Sequence, residues 1–258
     1  MEFNKKTYRG WPALNASYLK QVLLYSKWRA DIPLTPTAAM NFGTAAHTKI
    51  LEPELFDTEY SLFDFDLRTK QGKMQKELFD EMGLKPLKPA ELAALEAMNE
   101  SVRRTPDVAK MLDEGEVEQC YLFTFENEHE SKAQIDLYHP DSFTLVDLKT
   151  IADISKAERQ FWSMRYDLQM AWYREALIAN GKPVDSVKIL FVETQAPYQA
   201  ALFDVSEESM DVGYQAALDA VLKWQRQSES DSPELITGTL TPPPWMVQDN
   251  TQEVNPFG

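Results

Sequence analysis

Between residues 117 and 151 the sequence offers three β-rich runs in succession with almost no room between them. VEQCYLFTF, SKAQIDLYH and SFTLVDLKTI are rich in β-branched and aromatic residues, and the stretches around NEHES and PDS that join them are of turn length. Connections this short cannot carry a parallel crossover, so the three runs must pair as an antiparallel meander. Everything else in the chain has to be built around that unit.

What precedes the meander reads as helical. Apolar residues at Leu19, Val22, Leu23 and Trp28 predict a helix over 15–30, with Asn15 or Ser17 as N-cap and DIPLTPT as its stop. Further helices are expected over 38–51, 73–83 and 89–104, with a short strand over 59–65. After the meander come helices over 154–163 and 166–180, stopped at Asn180–Gly181, then strands over 187–195 and 199–204 and a helix over 206–227. The order predicts an α/β fold, a mixed central sheet flanked by helices. Residues 1–227 read as one domain with an N-terminal helical elaboration, and 228–258 as a Pro-rich acidic tail.

Composition removes several function classes. Lys and Arg number 26 against 41 Asp and Glu, a formal charge of −15, which argues against a passive nucleic-acid coat protein with a broad basic surface. The excess is uneven, however: ten acidic and two basic residues lie from Asp204 onward. A locally basic groove elsewhere is compatible with that, and Arg68, Lys70, Lys73 and Lys76 crowd four positive charges into nine residues. Such a run equally suits a solvated helix start. The single cysteine, Cys120, excludes an internal disulfide or a cysteine-ligated cluster within the chain and points to a reducing, cytoplasmic setting. No run approaches the roughly 18–20 apolar residues that span a bilayer, and MEFNKKTYRG lacks a signal peptide's apolar stretch.

The residues that can do chemistry lie in the meander. Asp136 interrupts an apolar strand, and Asp147 and Lys149, two apart, project from one face of the next. Leu145 shares that face, so the ionic groups either point toward the core side or line a cleft while Val146 and Leu148 meet helices. Phosphodiester hydrolysis needs a divalent cation on hard oxygen ligands and a cationic group for developing charge. Two carboxylates on adjacent strands and one lysine are a minimal version of that set, although an Asp-x-Lys pair also suits a surface salt bridge. His47, in a helix of small residues, fits either a ligand or a satisfied core histidine. Gln169 and Tyr173 share a helix face with Tyr166 and fit either a site or an aromatic core stripe.

In order, these segments resemble the PD-(D/E)XK nuclease superfamily, and within it the RecE-like (exonuclease VIII-like) phage branch. The resemblance spans 15–245 and rests on Asn15-Ala16-Ser17-Tyr18-Leu19, on Gly43 to His47 as a G-x-x-x-H segment, and on the basic run from Arg68 to Lys73. It continues through Glu118, Lys132 to Asp136 (with Gln134 where the family has arginine), Val146 to Thr150 as V-D-x-K-T, Gln169-x-x-x-Tyr173, and Pro242 to Trp245. It implies a restriction-endonuclease-like core and catalysis with Mg²⁺, Mn²⁺ being an expected substitute. The metal ligands would be Asp136, Asp147, the Leu148 carbonyl, His47 and Glu118. Lys149 would position the attacking water, with Gln169 and Tyr173 supporting the site. Arg68, Lys70, Lys73 and Lys132 would contact DNA. The implied activity is exonuclease action on linear duplex ends, 5′ to 3′, leaving 3′ single strands for an annealing protein. A ring of three or four copies, working in the bacterial cytosol if phage-encoded, would make digestion processive. An endonuclease, a single-strand nuclease and a non-catalytic scaffold of the same fold are the rival readings.

Overall fold

The computed structural model describes residues 3–233 and 239. Of the Pro-rich tail expected over 228–258, residues 228–233 and 239 are described, and its run at 242–245 lies outside the described residues. Chain order begins with α1 (Ala16–Leu24), α2 (Lys27–Ala30), α3 (Ala38–Leu51), α4 (Pro53–Glu59), β1 (Tyr60–Leu62), α5 (Lys70–Glu81), β2 (Lys85–Leu87), α6 (Pro89–Arg103) and α7 (Pro106–Glu114). The meander follows as β3 (Glu116–Phe125), β4 (His129–His139) and β5 (Thr144–Ile151), then α8 (Ala157–Ser163), α9 (Tyr166–Ala179), β6 (Ser186–Glu193), β7 (Ala200–Asp204) and α10 (Glu207–Ser228). No helix among the described residues is long and apolar enough to cross a membrane.

The main sheet has the order β3-β4-β5-β6-β7. All pairs are antiparallel except β5–β6, whose parallel pairing requires the long crossover that α8 and α9 supply. This is the mixed α/β sheet expected from the sequence. Both faces are covered, which settles the ambiguity in β5. Val146 and Leu148 join Ala46, Ile50 and Met98 in the core beneath α3 and α6. Leu145 joins Trp172, Ile189 and Phe191 in the other core, beneath α1, α9 and α10. Asp147 and Lys149 therefore point toward the α9 side, alongside a core residue.

Three local expectations change. The helix over 15–30 is two helices: Tyr25, at φ −130° and ψ −92°, ends α1, and the Ser26 hydroxyl recaps α2 by accepting from Arg29 N at 3.2 Å. The strand over 59–65 shrinks to β1, three residues long, because its partner is only the short β2, a parallel strand around Pro86 with too little β-rich sequence to be legible. Helix α7 was missed because its nine residues, opened by Pro106, run into the first strand with only Gly115 between.

One irregularity of the sheet creates the site. β4 pairs with β5 only at Leu137–Val146, Tyr138–Leu145 and His139–Thr144. Beyond that the strands part, and the N-terminal segment takes β5's place. Leu14 N donates to Glu130 O at 3.0 Å, and Leu14 O accepts from Lys132 N at 2.8 Å. The chain then turns directly into α1, whose N-cap is Asn15, accepting from Tyr18 N at 3.0 Å. The fork between β4 and β5 is thus roofed by α1 and α9.

Candidate active site

Asp136 and Asp147 are the first residues past the last β4–β5 pair, and the register sets them opposite each other at the mouth of the fork. On the other side of β4, Val117 pairs with Leu137 and Gln119 with Ile135, so Glu118 lies opposite Asp136. Three carboxylates thus form a row across three strands. Where the backbone ladder stops, a side chain replaces it: Leu148 N donates to Asp136 Oδ2 at 2.9 Å. Glu118 adopts φ 53°, a left-handed conformation that a non-glycine residue holds only under constraint from its surroundings. Gln134, which stands where the resemblance leads one to expect arginine, donates its amide to Glu118 Oε2.

His47 reaches this row from α3. Its Nδ1 lies 3.6 Å from Asp136 Oδ2, and one ligand atom each from His47, Glu118 and Asp136 fall within 4.8 Å of one another. Two hard carboxylate oxygens and an imidazole suit a divalent cation such as Mg²⁺ or Mn²⁺. The α3 helix comes this close because of Gly43: a Cβ there would stand 3.3 Å from Thr150 Oγ1 on β5.

Asp147 lies beside that group with different partners. Fully buried, it accepts from Gln169 Nε2 at 3.1 Å through Oδ1 and pairs with the Lys149 ammonium through Oδ2. Leu148, expected to offer its carbonyl to a metal, here accepts from Lys149 Nζ at 3.3 Å through that oxygen. Gln169 is locked in turn. Lys20 on α1 donates to its Oε1 at 2.6 Å, which leaves the amide nitrogen facing Asp147 and Tyr173 Oη, the latter at 2.9 Å. Tyr173 accepts that bond and keeps its own proton for the cleft it lines. The Tyr166 ring sits beneath both ammonium groups, 4.9 Å from Lys20 Nζ and 5.2 Å from Lys149 Nζ.

The electrostatics follow from crowding these groups away from water. Burial pushes Asp136 and Asp147 up to about 6, against the opposing pull of the Lys149 ammonium. Burial pushes His47 down to about 4, and the charge on Lys149 adds to that, so the imidazole is neutral and able to ligate at ordinary pH. Burial alone would lower Lys149, but Asp147 and Asp136 outweigh it and hold this lysine above its usual value. Burial, joined by the charge of Lys149, takes Lys20 down to about 7.

The residues expected to touch DNA are distributed differently. Arg68 is exposed and bound through two nitrogens to Asp66, at 3.0 and 2.8 Å; Lys70 and Lys73 lie exposed on α5. None of the three lines the cleft of about 890 Å³ that contains His47, Glu118, Asp136 and Tyr173. Lys132 does line it, but its ammonium is committed to the carbonyls of Tyr8 and Trp11, at 2.7 and 2.6 Å, and anchors the N-terminal segment. The cleft's other cations are Lys5, Arg9 and Lys85. Sequence reasoning missed these and Lys20; only Lys20 left a trace, as a lone charge in the apolar run YLKQVLL.

The sequence model of a family described as a PDDEXK-like domain of unknown function (DUF3799) matches residues 18–233. No curated protein matches the sequence. Among solved structures, one from Eubacterium rectale described as a candidate exonuclease is similar at a TM-score of 0.65 and 14% identity, over 93% of this chain and 97% of that one. A phage-related exonuclease from Haemophilus somnus 129PT is similar at 14% identity over 84% of this chain and 96% of that one, with a TM-score of 0.34.

Proposed function

The chain belongs to the family of PDDEXK-like domains of unknown function, DUF3799, and on that footing we propose that it is a divalent-metal-dependent deoxyribonuclease that digests linear duplex DNA from its ends. The observation that carries this reading is the row of Glu118, Asp136 and Asp147 across the β3–β4–β5 fork, with His47 above it and Lys149 beside it. A structural ion pair would need one acid and one base. This site buries two aspartates against one strongly held lysine and adds a neutral imidazole, an excess of ligands that suits a cation.

His47, Glu118 and Asp136 would hold that cation, which when bound polarises a phosphoryl oxygen and acidifies a water. The chain's own residues supply the rest. Lys149 stays protonated at neutral pH, so it acts as a fixed positive charge beside the phosphate and a hydrogen-bond donor to the attacking water, not as a base. Asp147 keeps that ammonium in place, and Gln169 fixes the carboxylate. Tyr173 directs its hydroxyl proton at the phosphate oxygens. Attack by water on phosphorus breaks the P–O bond to the next sugar, the leaving oxygen taking up a proton.

The finer reading is an exonuclease that works 5′ to 3′ and leaves 3′ single strands for an annealing protein. The name given to the Eubacterium rectale structure supports end-directed over internal cutting. The test uses linear duplex labelled at either end, with Mg²⁺ or EDTA, for the wild type and for Lys149→Met. Mg²⁺-dependent release of nucleotides from the 5′ label, reduced at least about a hundredfold in the variant, is the expected result. Cuts in closed circles would move the protein to the endonucleases. Intact DNA under every metal, from protein shown to be folded, would end the enzymatic reading.

A further inference from the structure

Past Lys149, β5 runs on to a further space. The next residue, Thr150, and Ala39 of α3 line both the catalytic cleft and a second cavity of about 530 Å³, and the two spaces meet where α3 crosses β5 at Gly43. Their walls differ in kind. The catalytic side carries Lys5, Arg9 and Lys85 along with its acids. Among the described residues the one charged group lining the second cavity is Glu91, whose carboxylate is already engaged at the start of α6, where it accepts from Lys88 N at 2.9 Å. What remains is neutral: the half-buried rings of Phe42 and Tyr198, and the amides of Gln160 and Gln195.

This wall is held in place. Tyr198 sits at φ 58° in the β6–β7 loop, a left-handed conformation that a bulky residue keeps only where its surroundings hold it. The loop retains it through Tyr198 N donating to Gln195 O at 2.7 Å, and through Glu193, which accepts from Gln199 N at 3.2 Å and from Ile154 N at 2.9 Å. Gln160 Nε2 donates to Tyr166 Oη at 3.2 Å, and the Tyr166 ring carries the Lys149 ammonium. The cavity wall is therefore tied to the proposed catalytic lysine through one intervening side chain.

A charged compartment joined to a neutral aromatic one is what a nucleotide requires, phosphate in the first and base in the second. We propose that the cavity between Phe42 and Tyr198 is a base-binding subsite, which takes the unpaired base next to the scissile phosphate and stacks it on these rings. The inference rests on the nuclease reading and deepens it. Stacking on aromatic faces tolerates any base, and the two amides can each donate or accept, so the subsite demands an unpaired nucleotide without demanding a sequence. A duplex end would have to fray by at least one pair before its strand could be cut.

Binding in EDTA tests this without relying on cleavage. The full chain is titrated with single-stranded oligonucleotides carrying 2-aminopurine, or an abasic site, at successive positions from the 5′ end. We expect 2-aminopurine to be quenched at one position, and an abasic site there to weaken binding roughly tenfold. Tyr198→Leu should remove the quenching and Tyr198→Phe should keep it. Equal affinity for abasic and intact strands at every position overturns the subsite, a result that needs no variant to fold. The two readings fail separately. Cleavage by a protein indifferent to abasic sites leaves the nuclease without this subsite, and a Tyr198-dependent base contact without cleavage leaves the subsite without the nuclease.

Discussion

Asp136 shows what burial does to a carboxylate in the candidate site. With its partner Asp147 it is raised from 3.8 to about 6, so the folded, metal-free chain holds these protons more tightly than the unfolded chain does. Stability contributed by the pair is therefore present at the acid end and is lost as pH rises from about 4 to about 6. Asp136→Asn cannot ionise and escapes its part of that loss. In EDTA, urea midpoints of wild type and variant should separate progressively across this window, with the variant gaining about 1–3 kcal/mol by neutral pH. A constant difference from pH 4 to 7 would contradict the raised carboxylate. The order should reverse with metal: Mg²⁺ raises the wild-type melting temperature by mass action and moves Asp136→Asn less.

Among the elements, the decisive contact is α9 against α10. Gly213 of α10 meets the backbone of α9 so closely that a Cβ would fall 2.1 Å from Asp167 O. That atom belongs to the main chain and cannot swing aside, so Gly213→Ala must push the helices apart. Overpacking of this kind costs about 1–3 kcal/mol, which for a chain of this size lowers the melting temperature by several degrees. Gln169 lies two residues beyond Asp167, so the same displacement should loosen its hold on Asp147 and lower cleavage as well. An unchanged melting curve would show that the two helices do not approach this closely.

Over the whole molecule, the formal charge of −15 and the proposed DNA substrate are reconciled by local placement. The cleft gathers Lys5, Arg9 and Lys85 besides the anchored Lys132; Lys5 is paired with Glu52 and Glu118 and Lys85 with Glu59, so phosphates must displace those carboxylates to engage them. Three phosphate contacts predict a log–log salt slope near about −3, so affinity for duplex ends should fall roughly fortyfold between about 50 and about 200 mM salt. A far steeper loss, of about a thousandfold or more, would mean that Arg68, Lys70 and Lys73 also contact the backbone. Removing those three charges together should then flatten the slope.

Much of this was readable from the chain. Three strand-forming runs with no room for crossovers dictated the meander. Asp136, Asp147 and Lys149 stood out because ionic groups in apolar strands are costly without a purpose, and the Gln169–Tyr173 spacing put both on one helix face. Such signals are local, carried by spacing and composition. What only the tertiary structure decided is non-local: that β4 and β5 part after a few pairs, that Leu14 fills the gap, and that Lys20 of α1 thereby reaches Gln169 about 150 residues away. Lys132 likewise became an anchor because two distant carbonyls needed a donor, and Lys5, Arg9 and Lys85 became cleft residues through the path of the chain. The periodicity of a strand reveals which face a side chain takes; only the packed chain determines what that face meets.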